Sequence, residues 1–406
     1  DDNRPLSQII SPANNSFVPV VNSVSGAASD NIAAVNSKIS AVYFQLVNTN
    51  PTIRTYNWTT SAWVATELET NVSDPAASPY WKAAAYTPYS AGASSGTWTY
   101  STPAIFNSVF AYRFISRAKD QAGNVDVVRS TSSFTYDIYA PPTPEFPDSL
   151  ISSPVNDTHG QSVISSIVGT ASEDVKLSAV KVRIRKLASG TTVYWSGVAW
   201  DPSPIPTVDL PDAAADSPPF DSTSEPWTRA APPFAFWGAD AKYEFTSIAV
   251  DAAGNAELAL STNSYVYDIT PPNQAIAFPA PGGFISQAGN LSGTASDTGA
   301  GTVNLVSVRL RRNSDNKFLD MSVGPSGDWV VSAASNVWNA ATLSGGGPWS
   351  WVLSTAAWTT GVTYEANVYA RDRALNSQAV YSTVTFSADF QAPGSVVSVP
   401  SDGSTI

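Results

Sequence analysis

Aspartate and asparagine recur along this 406-residue chain at fixed spacing, and their side-chain oxygens are the groups best suited to chemistry. Three copies of a short motif begin with Asp and end with Asn four residues later, and a further Asp follows 17 residues after each first one. These residues are Asp120, Asn124 and Asp137, then Asp251, Asn255 and Asp268, then Asp372, Asn376 and Asp389. Ca²⁺ binds six to eight such oxygens. The same side chains also cap tight turns, so both interpretations stay open.

Other kinds of reactive site find little support in the sequence. There is no Cys, and the single His, His159, lies in a polar segment that we expect at the surface. A zinc site of Cys and His ligands is therefore excluded, and a catalytic triad cannot be built with confidence. Phosphate-binding and metalloprotease motifs are absent as well. The sequence predicts that the protein is not an enzyme and that Ca²⁺ is the one cofactor to consider.

The acidic motifs stand at the ends of predicted β-strands. Each motif Asp is preceded by eight residues in which alternate positions are apolar or small, beginning with Tyr112, Tyr243 or Tyr364. A period of two residues predicts a strand with one buried face. The motif then predicts a turn, and the second strand ends where prolines follow the distal Asp. The third copy has Leu375 where the others have glycine, which leaves its turn type open.

A second sequence signature lies near the start of each copy and supports the division of the chain into three repeats. It reads GAASD at 26–30, GTASED at 169–174 and GTASD at 293–297, where we expect a strand closed by the glycine to lead into an acidic loop. An alternating strand follows, clearest at 180–185 and 306–311. The sequence therefore predicts an all-β chain of three domains at 1–141, 142–271 and 272–393. Residues 394–406 read as the start of a further repeat, so we expect a longer array.

Charge argues against binding to nucleic acid, and hydropathy argues against a membrane-spanning segment. The net charge of −12 opposes binding to the phosphates of nucleic acid. No run of 18 apolar residues is present, so the sequence predicts no membrane-spanning segment.

GTASD, the pattern Y-x-F-x-x-x-A-x-D-x-AGN and YDITPP together resemble the immunoglobulin-like tandem repeats of large bacterial surface proteins, including adhesins. The resemblance implies tandem β-sandwich domains joined by short Pro-containing linkers, with the three tyrosines at the tyrosine corner of strand F. It also implies an extracellular or cell-surface location and a structural or adhesive role as a stalk or surface-fibre segment. The implied partners are neighbouring repeats, other copies of the chain, or surface glycans.

In this fold the connection between strands B and C and the turn between strands F and G share the pole where the chain enters. The distal Asp of the preceding copy would then approach both, so Ca²⁺ could stiffen the interdomain junctions. The first candidate set is Asp137, Asp174 (or Glu173), Asp251 and Asn255. The second is Asp268, Asp297, Asp372 and Asn376. Capping of local turns is the alternative role.

Tryptophan is the other concentrated residue, with 13 copies. The spacing around 56–63 and 194–200 predicts hairpins with tryptophan on both arms. Exposed rings could instead stack on sugars or contact a protein, and the candidates for that role are Trp58, Trp63, Trp195, Trp200 and Trp329.

The middle segment of each copy varies in length between copies. These segments, at about 48–108, 187–240 and 313–361, are the candidate contact surface. Residues 201–233 look too polar for a core. Two other functions therefore stay open, a self-assembling filament or sheath subunit, and a non-catalytic carbohydrate-binding or spacer module of a secreted enzyme.

Overall fold

A computed structural model describes residues 3–30, 38–50, 52–65, 74–138, 146–188, 190–202, 214–215, 219–238, 240–286, 290–324, 327–331, 337–345, 347–353, 358–396, 399 and 403. These residues form β-strands and three single-turn 3-10 helices, and no α-helix occurs among them. No described helix has the length and apolar character needed to cross a membrane.

The strands fall into three consecutive sets, which we call the first, second and third sandwich. The first contains β1 (Leu6–Ser11), β2 (Ser16–Val18), β3 (Ser23–Ser29), β4 (Ile39–Asn48), β5 (Arg54–Asn57), β6 (Ala62–Val64), β7 (Lys82–Pro88), β8 (Ser95–Ser101), β9 (Phe110–Asp120) and β10 (Ser130–Tyr136). Its 3-10 helix is Pro75–Ala77.

The second sandwich contains β11 (Asp148–Ser153), β12 (Thr158–Gly160), β13 (Ser166–Ser172), β14 (Leu177–Ala188), β15 (Thr191–Trp195), β16 (Trp200–Asp201), β17 (Ala214–Ala215), β18 (Ser224–Ala230), β19 (Ala241–Asp251) and β20 (Ser261–Tyr267). Its 3-10 helix is Phe234–Phe236.

The third sandwich contains β21 (Asn273–Phe278), β22 (Phe284–Ile285), β23 (Asn290–Ser296), β24 (Val303–Arg312), β25 (Lys317–Asp320), β26 (Asp328–Val330), β27 (Asn339–Ala340), β28 (Thr342–Leu343), β29 (Pro348–Val352), β30 (Thr363–Asp372) and β31 (Ser382–Ala388). Its 3-10 helix is Met321–Val323.

Strand order identifies the fold as an immunoglobulin-like β-sandwich. In the second sandwich one sheet runs β11-β13-β18-β17 and the other β12-β20-β19-β14-β15-β16, which are the A-B-E-D and A′-G-F-C-C′-C″ orders of that fold. The short A′ strand pairs parallel to strand G in all three sandwiches. The third sandwich repeats this order, while in the first β7 pairs with both β4 and β8 and joins the two sheets. The predicted all-β fold is confirmed.

Alternating side chains from both sheets meet in a separate core in each sandwich. Val180, Val182 and Ile184 of β14 are buried against Trp227 and Tyr243 in the second core. The alternating strands predicted at 180–185 and 306–311 are thus the C strands. The sheets end near the predicted boundaries at 271 and 393, and the boundary at 141 lies outside the described residues. The exact domain boundaries stay a prediction.

The signature glycine explains how strand B packs. Strand B does not close at this glycine, as the sequence suggested, but continues three residues further in each sandwich. The glycine lies beneath a buried tryptophan of strand E, and a Cβ on Gly169 would stand 2.3 Å from Trp227 and 2.1 Å from the Leu150 carbonyl. Gly26 beneath Trp98 and Gly293 beneath Trp349 are equally crowded. A side chain has no room there.

The tyrosine corner is present in all three copies. The hydroxyl groups of Tyr112, Tyr243 and Tyr364 are buried and accept hydrogen bonds from backbone N–H groups five residues earlier, at 2.7, 2.7 and 2.8 Å. These bonds tie the start of strand F to the chain that leads into it. Because strand F ends at the motif Asp, they also help to set where each acidic turn lies.

Residues 201–233 include a core strand, contrary to the sequence interpretation. Their β18 is strand E, and Trp227 on it is fully buried. One alternating tryptophan suffices to anchor this strand between polar neighbours. Residues 203–213 and 216–218 lie outside the described part of the chain.

Candidate cation sites at the joints between sandwiches

The turn between strands F and G has the same hydrogen bonds in all three sandwiches. The Asn124, Asn255 and Asn376 amides donate to the motif Asp through their backbone N–H at 2.8 Å and through Nδ2 at 2.8, 2.6 and 2.8 Å. Turn capping, the local interpretation of the motif, is therefore present in every copy. Turn capping leaves the carboxylate able to accept further contacts, because each oxygen has a second lone pair.

Leu375 adopts the same turn as the glycines it replaces. Its φ is +73°, against +95° for Gly123 and +92° for Gly254. Its N–H donates to the Asp372 carbonyl at 3.3 Å, as the Gly254 N–H does to Asp251. The third turn thus keeps its geometry with a leucine in a left-handed conformation.

At the first joint, Asp137 from the end of the first sandwich meets Glu173 and Asp174 of the second. One carboxylate oxygen from each lies within 4.8 Å of the others. Asp137 is 4% exposed and Glu173 is 7% exposed. Asn255 donates from Nδ2 to the Asp137 carbonyl at 3.1 Å, which fixes the incoming strand on the turn.

Two of the three carboxylates of the first joint have an oxygen without a donor. Asp137 Oδ2 and Glu173 Oε1 are buried and have no hydrogen-bond partner. Burial, followed by repulsion from Asp251 and Asp174, raises the pKa of Asp137 to about 6. Burial raises the pKa of Glu173 to about 7, with a contribution from Asp174. The raised pKa values follow because ionised carboxylates this close together, and partly buried, repel one another.

The second joint brings together Asp268, Asp297 and Asp372. One oxygen from each again lies within 4.8 Å of the others. Asp268 and Asp372 are fully buried. Asn376 donates from Nδ2 to the Asp268 carbonyl at 2.9 Å, repeating the bond at the first joint.

Two carboxylate oxygens of the second joint lie close to Gly301, and neither accepts a hydrogen bond. Asp268 Oδ2 and Asp297 Oδ2 have no hydrogen-bond partner, and a Cβ on Gly301 would stand 2.6 and 2.5 Å from them. Burial raises the pKa of Asp268 to about 7, with hydrogen bonding to Asp240 and repulsion from Asp297 and Asp372 contributing. Burial also raises the pKa of Asp297.

The donor sets fit a hard divalent cation. Both clusters offer oxygen ligands alone, and three carboxylates suit the irregular, high coordination of Ca²⁺ better than the strict octahedron of Mg²⁺. Seven of the eight predicted residues lie in these clusters or contact them. Asp251 is not one of the three clustered carboxylates of the first joint, where Glu173 stands instead, although it lies close enough to raise the pKa of Asp137.

Direct protein contacts also cross the joints. Arg373 of the third sandwich pairs with Asp157 of the second at 2.9 Å, and Gln161 donates to the Ala374 carbonyl at 3.0 Å. Lys176 lies 5.8 Å from the Phe17 ring centroid across the first joint. His159 is not on the surface as expected, because its side chain is 5% exposed beside the Asp157 and Arg373 pair. Burial and Arg373 lower its pKa.

The five candidate tryptophans pack within the sandwiches. Trp195 faces Trp200 in antiparallel register with ring centroids 5.4 Å apart, which is the predicted arrangement of tryptophan on both arms. In the first sandwich Tyr56, and not Trp58, faces Trp63, with ring centroids 5.2 Å apart. The tryptophan on the second arm contacts the corner tyrosine in each copy; these pairs are Trp63 and Tyr112, Trp200 and Tyr243, and Trp329 and Tyr364. Trp58 packs edge-on against Phe44 and Tyr56. A ligand role for these rings stays a prediction.

No known protein family matches the sequence. No curated protein matches it either. Among solved structures, a tetra-tandem repeat from the extending region of a large adhesion protein is 15% identical, covers 96% of this chain and 74% of its own, and has a TM-score of 0.31.

Two further structures are similar at the same level. A Ca²⁺-stabilized adhesin that helps an Antarctic bacterium bind ice is 12% identical, covers 97% of this chain and 75% of its own, and has a TM-score of 0.28. A 1.5-MDa bacterial ice-binding adhesin is also 12% identical, covers 96% and 99%, and has a TM-score of 0.29. The immunoglobulin-like fold is identified by the strand order of the sandwiches.

Proposed function

We propose that this chain is an extracellular stalk segment of a large bacterial surface protein with an adhesive role, and that Ca²⁺ stiffens its joints. One observation carries the proposal. At each of the two joints, a carboxylate from the end of one sandwich meets two from the next, and buried oxygens of the group lack hydrogen-bond donors. Such an arrangement is costly without a cation and favourable with one.

The position of the clusters gives the cation a mechanical role. Each cluster draws its ligands from two sandwiches, so binding a cation restricts the angle between them. The Asn255 and Asn376 bonds to the incoming backbone and the Arg373 pair act in the same direction. Similar sandwiches held at restricted angles provide length, which is what a stalk requires. The outer location and adhesive role rest on the sequence resemblance.

Small-angle scattering and thermal unfolding of the whole chain in Ca²⁺ and in EDTA test the proposal. We expect Ca²⁺ to raise the melting temperature by several degrees and to increase the radius of gyration, because cation binding stabilises the aligned joints. The double variant D268N/D297N should lose part of both responses.

D328N, which alters an exposed carboxylate on β26, is the matched control and should respond as the natural chain does. Identical melting and scattering curves in Ca²⁺ and EDTA would reject structural calcium at the joints. A flexible scattering profile under both conditions would reject the stalk.

A further inference from the structure

The first sandwich carries the same acidic pole that the second and third bring to the joints. Its connection between strands B and C begins at Asp30, directly after the last residue of β3, as Asp297 follows the last residue of β23. Its F–G turn begins at Asp120 on β9, as the third begins at Asp372 on β30. None of the candidate residues predicted from the sequence lies at this pole.

Asp30 is buried with its charge unsatisfied. The residue is 2% exposed, and neither Oδ1 nor Oδ2 has a hydrogen-bond partner. Its own backbone is fixed, since the N–H donates to the Ser94 carbonyl at 2.8 Å, as the Glu173 N–H does to Thr223. The two joint clusters are marked by the same feature, a buried carboxylate oxygen without a donor.

Asp120 holds the position in the first sandwich that Asp372 holds in the third, at the end of strand F. It is 1% exposed, and Asn124 caps it at the distances found at Asp372, a member of the second cluster. Lys38 directly precedes β4, and its backbone carbonyl accepts a hydrogen bond from the Gln121 N–H at 2.9 Å. Among the described residues no ion pair joins Lys38 to Asp30.

We propose that Asp30 and Asp120 form a third divalent-cation site at the BC–FG pole of the first sandwich. The inference rests on the proposed function, because it extends the chemistry of the two joints to a pole not assigned before. The third carboxylate, which Asp137 or Asp268 gives at the joints, has no counterpart among the described residues here. Water completes the coordination, and the site binds more weakly than the joint sites.

Calorimetric titration of CaCl₂ into the metal-stripped whole chain counts the sites. We expect three Ca²⁺ per chain, one of them at least tenfold weaker than the other two. D30N should bind two and lose the weak site alone. D120N should do the same, while its amide oxygen still accepts from the Asn124 backbone N–H and only the bond from Asn124 Nδ2 is lost. D268N/D297N should also bind two Ca²⁺ per chain, but the site it loses should be one of the two tight sites.

Unfolding in EDTA checks that the variants fold. D30N should melt at or above the temperature of the natural chain, because it removes a buried charge that has no partner. Two sites in both the natural chain and D30N would overturn the third site and leave the joint sites standing. Three sites in both would place the weak site elsewhere and overturn it too. No binding at all would reject the proposed function together with this inference.

Discussion

Gly301 sets how closely the carboxylates of the second joint can approach. Its Cα faces Asp268 Oδ2 and Asp297 Oδ2, and a methyl group there would stand 2.6 and 2.5 Å from them. We expect Gly301→Ala to weaken Ca²⁺ binding at this joint by at least tenfold, because the carboxylates must separate. Calorimetric titration measures the loss.

Gly345→Ala is the matched control, since a Cβ at Gly345 would have no atom within 4 Å. Calcium affinity should be unchanged in that variant. Equal affinities for Gly301→Ala and the natural chain would show that the cation does not sit between these oxygens.

Leu375 pays a conformational cost in the third F–G turn. A left-handed conformation costs a non-glycine residue about 1–2 kcal/mol. The side chain is exposed, so little packing is lost on its removal. We expect Leu375→Gly to raise the free energy of unfolding of the third sandwich by about 0.5–1 kcal/mol after the added flexibility of the unfolded chain is subtracted. Urea unfolding measures the change, and a decrease would contradict this account.

At the scale of the element, the contact between strands B and E limits what each sandwich tolerates. A Cβ on Gly169 would overlap both the Trp227 ring and the Leu150 carbonyl. We expect Gly169→Ala to destabilise the second sandwich by about 1–3 kcal/mol, because overpacking moves a buried ring or the edge strand. Denaturant unfolding followed by tryptophan fluorescence measures the loss. A loss below about 0.5 kcal/mol would show that strand β11 can move aside freely.

Local repetition made much of the fold predictable. Tyr243 and Asp251 mark the two ends of strand F because the alternation and the turn between them are encoded in neighbouring residues. The same holds for the strand beginning at Val180. These patterns also gave the right pole for the acidic groups, since the fold places the B–C and F–G connections together.

The rest depends on contacts between distant residues, which spacing does not show. Trp227 is core because Gly169 makes room for it, although the surrounding sequence is polar. Glu173, rather than Asp251, belongs to the first cluster, although Asp251 caps its turn as Asp372 does in the third sandwich. The His159 side chain is 5% exposed and lies near Arg373 of the following sandwich, a contact that its polar sequence neighbours do not show. Asp30 could have been found from its place in the repeat, but only its burial shows that the charge lacks a partner.

At the scale of the whole molecule, the joints should respond to pH. The pKa values of Asp137, Glu173 and Asp268 rise to about 6, 7 and 7. Between about pH 4.5 and 7, the metal-free folded chain therefore binds more protons than the unfolded chain, and its free energy of unfolding falls as pH rises. We expect a lower melting temperature in EDTA at pH 8 than at pH 5.5.

Saturating Ca²⁺ should cancel this difference, because the cation needs the ionised carboxylates and stabilises most where they carry charge. The increase in melting temperature on adding Ca²⁺ should therefore be larger at pH 8. The variant D137N/D268N supplies the comparison, with a weaker dependence on pH in EDTA. A metal-free chain that becomes more stable from pH 5.5 to 8 would contradict the assigned pKa shifts.

The division of each ligand set between two successive sandwiches constrains how such a protein can evolve. A unit exchanged by recombination preserves both of its contacts only if it brings the acidic residue after its last strand as well as the acidic loop near its first. Duplication of a complete unit satisfies that condition automatically. Arrays of this type can therefore lengthen or shorten by whole units without compensating substitutions. Selection can then change the length of the array by changing the number of sandwiches.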